Sequence, residues 1–177
     1  MKIIDLTQTI EGGMPVYAGD PEVEIETVQS PDAEGWRLQK LTLGSHTGSH
    51  VDAPYHMAEA GAMLDTLPLE RFFGDAVIAS TDTEFPKHVG LVFRDEQLGE
   101  DLLPRFILAG TPFVVVGDKA HMELALERQL LSRDILTFTD LINLSELPSE
   151  KHFAFYGIPL KIKNSDGSPI RAFAIVD

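Results

Sequence analysis

The chain has no cysteine among its 177 residues. Disulfides and thiolate zinc sites are therefore excluded, and any metal must be held by nitrogen and oxygen. Positive charge is scarce as well: 14 lysines and arginines stand against 28 aspartates and glutamates, a net charge of −14. A balance of that sign offers no footing to nucleic-acid phosphates or to anionic lipid. The acidic excess is scattered (Glu22, Glu24, Glu26, Asp95, Glu96, Glu100, Asp101), as on an ordinary solvated surface. Long hydrophobic runs are also missing. The most apolar stretch, FILAGTPFVVVG at 106–117, contains a proline and is too short to span a bilayer. The opening MKIIDLTQTI has one lysine and then Asp5, unlike a secretory signal, so a cytoplasmic location is expected.

What remains reads as one globular domain over residues 1–177, with 44% hydrophobic and 24% charged residues, enough of the former to bury a core. Short β-like runs recur (KIIDL, VEIETV, WRLQKLTL, AVIAS, FVVVG, ILTF, FAFYGIPLKI, IRAFAIV). Helices are predicted at 95–108, broken or restarted by Pro104, and at 118–133, with Asp118 as the cap candidate; a shorter turn falls at 66–72. Strand, helix and strand across 112–138 predict a βαβ unit. The first third and last quarter read as antiparallel hairpins, the latter turning at NSDGS (164–168). The expected class is α/β with a mixed sheet.

Half of the six histidines sit in one stretch, HTGSHVDAPYH at 46–56. His46, His50, Asp52 and His56 are all even-numbered, so an extended chain would point them to one face. Four residues of ideal strand span roughly 13 Å, too far for two imidazoles to share one ion at about 2 Å each. The strand must bend, and Gly48 is the residue that permits it. Two imidazoles and a carboxylate suit zinc, manganese or iron, with positions left open for water and substrate. His56, carried past Pro54, could lie over the site; spacing alone leaves it open as a ligand or as a general acid/base. His88, His121 and His152 are isolated and read as surface residues.

The stretch resembles the H-x-G-T-H-x-D-x-P-x-H signature of the putative cyclase family, which includes bacterial kynurenine formamidases and isatin hydrolases; Ser49 stands in the threonine position. IIDLTQTIEGGMPVYAGDPEVEI, LPLERFFGDAVI, INLSELP and FYGIPLKIKNSDGSPIRAFAIV are similar to other parts of that family, in the expected order. The resemblance implies a layered β/β/α, swivelling-type fold, usually a homodimer or homotetramer. It implies that His46, His50 and Asp52 bind a divalent metal, zinc or manganese, and that His56 is the general acid/base. Tyr17 falls where formamidases place a tryptophan against the substrate. Two departures stand out. Glu127 occupies the place of a helical histidine ligand, and Thr139 that of a glutamate ligand, which implies one ion per chain and leaves Glu127 as an uncertain ligand. Asp140 and His121 are the candidates to compensate, and Arg171 is a candidate, with a metal, to invert the negative field locally. The leading expectation is a hydrolase of a small amide, lactam or ester acting on a small-molecule substrate. The alternatives are a binding protein without turnover, and a metal-dependent lyase or isomerase.

Overall fold

The computed structural model describes residues 1–176. Along the chain run β1 (Lys2–Asp5), β2 (Glu24–Gln29), α1 (Pro31–Glu34), β3 (Leu38–Thr42), β4 (His50–Asp52), β5 (Phe73–Ile78) and β6 (Gly90–Phe93). There follow β7 (Gln97–Leu98), α2 (Leu103–Ala109), β8 (Phe113–Gly117), β9 (His121–Met122), α3 (Leu124–Leu131), β10 (Leu136–Leu141), β11 (Phe153–Pro159) and β12 (Gly167–Val176).

The main sheet is mixed, as expected, and it closes on itself. Seven strands follow one another in the order β12-β11-β5-β6-β8-β10-β4, and β4 pairs back onto β12. The run β5-β6-β8-β10 is parallel, and the remaining joints are antiparallel. The long β12 makes closure possible: one edge pairs with β11, while the other receives β4 at Gly167–Pro169 and β1 at Phe173–Val176. Closure removes the free edges that an open sheet of this size would expose.

Alternation along each strand sorts the core into two compartments. Inward side chains, including Val51, Ala76, Val92, Val115, Leu136, Ala172 and Ala174, fill the barrel. At its centre Phe113, Phe138 and Phe155 meet with ring centroids 5.1–5.6 Å apart, edge-on and tilted arrangements that add to burial. Outside β5, β6 and β8, a second compartment joins Val77, Leu91, Phe93, Val114 and Val116 to Phe106 of α2 and to Leu126 and Leu130 of α3.

The predicted βαβ unit is present, since β8 and β10 are parallel neighbours joined through α3. The two hairpins are also present, as β2–β3 and β11–β12. The helix predicted over 118–133 is shorter: residues 121–122 pair with β7 instead, and Glu123, not Asp118, precedes the first helical turn. Over 95–108 only the second half is α-helical, and Pro104 lies in its first turn, where a missing N–H costs nothing. The expected turn at 66–72 is a pair of short 3-10 turns, 64–66 and 69–72.

Candidate metal centre

The site is built on the outer face of the barrel where β4 closes it. β4 is only three residues long, yet alternation turns Val51 into the core and leaves His50 and Asp52 together on the outside. Two cross-strand rows result. Thr139, His50 and Pro169 form one; Thr137, Asp52 and Gly167 form the other. His46 is not in the strand. It arrives from a turn in which Gly48 adopts φ +61°, a conformation that side-chain-bearing residues rarely take. The predicted bend is therefore real, though it lies before the strand and not within it. His46 then fills the space beside Asp52 that Gly167 leaves: a Cβ on Gly167 would lie 2.7 Å from His46 Cε1.

The donor atoms converge. His46 Nδ1 lies 2.7 Å from Asp52 Oδ1, and His50 Nε2 lies 3.5 Å from the same oxygen. His50 donates its Nδ1–H to the Gly48 carbonyl at 2.6 Å, which leaves the Nε2 lone pair facing the centre. These three residues form a set whose ligand atoms all lie within 4.8 Å of one another, the chemistry and spacing a small divalent ion requires. His56 comes from the 3-10 turn Pro54–His56, its ring centroid 4.0 Å from that of His46.

Sequence reasoning missed one member of the cluster. Asp166, in the NSDGS turn, accepts from His46 Nε2 at 2.9 Å, from His56 Nδ1 at 3.2 Å and from Ser45 Oγ at 2.9 Å. The only sequence signal was an acidic residue beside a glycine at a hairpin turn, and its meaning depends on the register that sets Gly167 against Asp52.

The two departures from the family pattern also meet here. Thr139 faces His50, its hydroxyl donating to His50 Nε2 at 2.8 Å. Glu127, on α3, is buried. Its carboxyl lies 3.4 Å from Thr137 Oγ1, and that hydroxyl donates to Asp52 Oδ2 at 2.9 Å. Glu127 thus belongs to the site's environment, although no ligand set among the described residues includes it. His88, His121 and His152 are exposed, as expected, so His121 supplies nothing to the cluster. Asp140 sits in a bulge of β10 with φ +59°, and its carbonyl accepts from Ser49 Oγ at 2.7 Å. Tyr17 is 72% exposed on the loop between β1 and β2. Arg171 faces solvent and pairs with Asp5 at 2.5 Å, so its guanidinium is engaged on the surface.

Charge shapes the site strongly. Burial disfavours the His46 imidazolium, but the carboxylates of Asp52 and Asp166 overcome it and push its pKa up to about 9. Burial likewise opposes ionisation of Asp52, yet the charges of His50 and His46 hold its pKa below the usual value. Burial also works against the Asp166 carboxylate, and hydrogen bonds from His46, Ser45 and His56 outweigh it, lowering the pKa. Glu127 goes the other way. Burial, followed by the neighbouring Asp52 charge, pushes it up to about 8.

The family model described as putative cyclase matches residues 4–101, more than half of the chain. An uncharacterized protein of Methanocaldococcus jannaschii is 30% identical, the match covering 99% of this chain and all of that one. The chain belongs to the putative cyclase family. A kynurenine formamidase of Salinibacter ruber is 27% identical, over 97% of this chain and 96% of that protein. Among solved structures, isatin hydrolase A from Labrenzia aggregata has the same fold, with a TM-score of 0.86 at 20% identity over 99% of this chain and 93% of that one.

Proposed function

We propose that this chain is a metal-dependent hydrolase of a small amide, lactam or ester, with one zinc or manganese ion per chain. The observation that carries the reading is the convergence of His46 Nδ1, His50 Nε2 and Asp52 Oδ1, with His56 beside them. His46, His50 and Asp52 would hold the divalent ion, which when bound would supply polarisation of a substrate carbonyl and a lowered pKa for a nearby water. His56 takes the proton from the attacking water and returns it to the leaving nitrogen or oxygen. His50 presents Nε2 because its other nitrogen is tied to the Gly48 carbonyl. Tyr17 serves as an aromatic wall against the substrate, and Glu127 stays outside the ligand set. The kynurenine formamidases and isatin hydrolases among the relatives support amides and lactams as the first substrates to try.

The closed sheet, with α2 and α3 outside one half of it, is consistent with one swivelling-type β/β/α domain. None of the helices in the described residues is long and apolar enough to cross a membrane, in keeping with a cytoplasmic enzyme. A binding protein without turnover is the second reading. It is favoured by Thr139, whose hydroxyl takes up the His50 lone pair where relatives are expected to carry a glutamate ligand. His56→Ala separates the two. The variant should retain its metal and lose turnover of an aryl formamide or lactam by about 10²–10⁴-fold. Unchanged turnover would remove His56 from its role, and no turnover by the wild type with either metal would favour the binding protein.

A further inference from the structure

Among the described residues, Asp166 is the one that contacts both His46 and His56 through a single atom. Its Oδ2 receives His46 Nε2 at 2.9 Å and His56 Nδ1 at 3.2 Å, while Oδ1 receives the Ser45 hydroxyl at 2.9 Å. The turn that carries it is fastened to the site by backbone bonds on either side. Ala53 N–H donates to the Asp166 carbonyl at 2.8 Å and Leu64 N–H to the Ser165 carbonyl at 2.9 Å. Asn164 N–H is in turn held by the Asp65 carboxylate at 2.9 Å. The next residue, Gly167, approaches the His46 ring so closely that an added Cβ would lie 2.7 Å from Cε1. The backbone that carries this carboxylate is thereby held beside both histidines.

We propose that Asp166 is a positioning residue that fixes the tautomers of the metal ligand His46 and the acid/base His56 at once. The proposal rests on the hydrolase reading above. Each histidine has two nitrogens, and only one can face the reaction. By holding the Nε2–H of His46, Asp166 makes Nδ1, whose proton the Asp52 carboxylate accepts in the metal-free protein, the nitrogen that would lose its proton and turn to a metal. By accepting the Nδ1–H of His56, it leaves His56 Nε2 free to take and give a proton. One carboxylate therefore sets the ligand and the proton carrier in register. A shift of the hairpin turn that moved Asp166 would detune both together.

The test compares wild type, Asp166→Asn and Ser45→Ala, using zinc alone as the probe. Zinc affinity is read by competition with a chelator, and ring ¹⁵N shifts report which nitrogen of each histidine carries the proton. Asp166→Asn should weaken zinc about 10–100-fold, the usual cost of losing such a partner. It should also convert His56, in the zinc-free protein, from the Nδ1–H form to a mixture. Ser45→Ala keeps the carboxylate but frees its orientation, so a smaller change in the same direction is expected and guards against a misfolded Asp166 variant. Unchanged zinc affinity and unchanged ring shifts in Asp166→Asn would overturn the proposal. If the wild type bound no zinc, the hydrolase reading and the His46 half would fail together. The zinc-free spectra would still decide the His56 half.

Discussion

Glu127 concentrates the conflict at the residue scale. It is a carboxylate on α3, buried across Thr137 from a second buried carboxylate, Asp52. Burial and the Asp52 charge push the Glu127 pKa up to about 8 in the fold, whereas an unfolded chain releases that proton near the ordinary glutamate value of 4.5. Between those values the folded state binds more protons, so this residue costs stability as pH rises through the window, and the loss is complete above it. At about 1.4 kcal/mol per pH unit this amounts to a few kcal/mol. Glu127→Gln has no proton to lose. In urea unfolding of the metal-free protein, the stability of Glu127→Gln relative to wild type should grow from pH 4.5 to pH 8. Parallel pH curves for the two proteins would show that Glu127 ionises freely in the fold.

At the scale of elements, β10 links the core to the site. Phe138 points into the barrel against Phe113 and Phe155, while Thr137 and Thr139, on either side, face Asp52 and His50. Phe138→Ala should destabilise the protein by about 3–5 kcal/mol in urea unfolding and weaken metal binding as the threonine face loosens. A cost below about 1 kcal/mol would mean that the ring's neighbours collapse into its space. β10 was legible from ILTF because a β-branched and aromatic run follows directly on the predicted helix over 118–133. The cluster at 46–56 was legible because residue types, parity and Gly48 agreed. Three features were not. The strand β4 is too short to carry a pattern, β6 is a four-residue apolar run without flanking signals, and residues 121–122 left the helix to pair with β7. Asp166 lies 110 positions from His56 along the chain, and only the closure of β12 onto β4 brings them together. Such long-range pairing is set by the whole sheet, not by local sequence.

For the whole molecule, the outer face of β1, β12, β11 and β5 stands out. One row runs Ile3, Ile175, Ala154 and Asp75, and the adjacent row runs Asp5, Phe173, Tyr156 and Phe73, an aromatic and aliphatic centre edged by two carboxylates. The three aromatic rings form a stacked ladder with centroid separations of 4.8 and 5.7 Å, and Ile3 is 60% exposed. Helices α2 and α3 cover the other half of the sheet. The expected homodimer or homotetramer would require a second copy to bury a face of this kind. Light scattering should give two or four chains, and Tyr156→Asp with Phe173→Asp should shift the protein toward single chains. A monomeric wild type would contradict this.

The metal centre itself is tested most directly by counting ions. Protein purified without a histidine tag or chelator should carry about one zinc or manganese per chain by mass spectrometry, and His50→Ala should lose it, because His50 Nε2 is one of three converging donors. No metal in the wild type, even after incubation with both ions, would contradict the metal-dependent reading at its root.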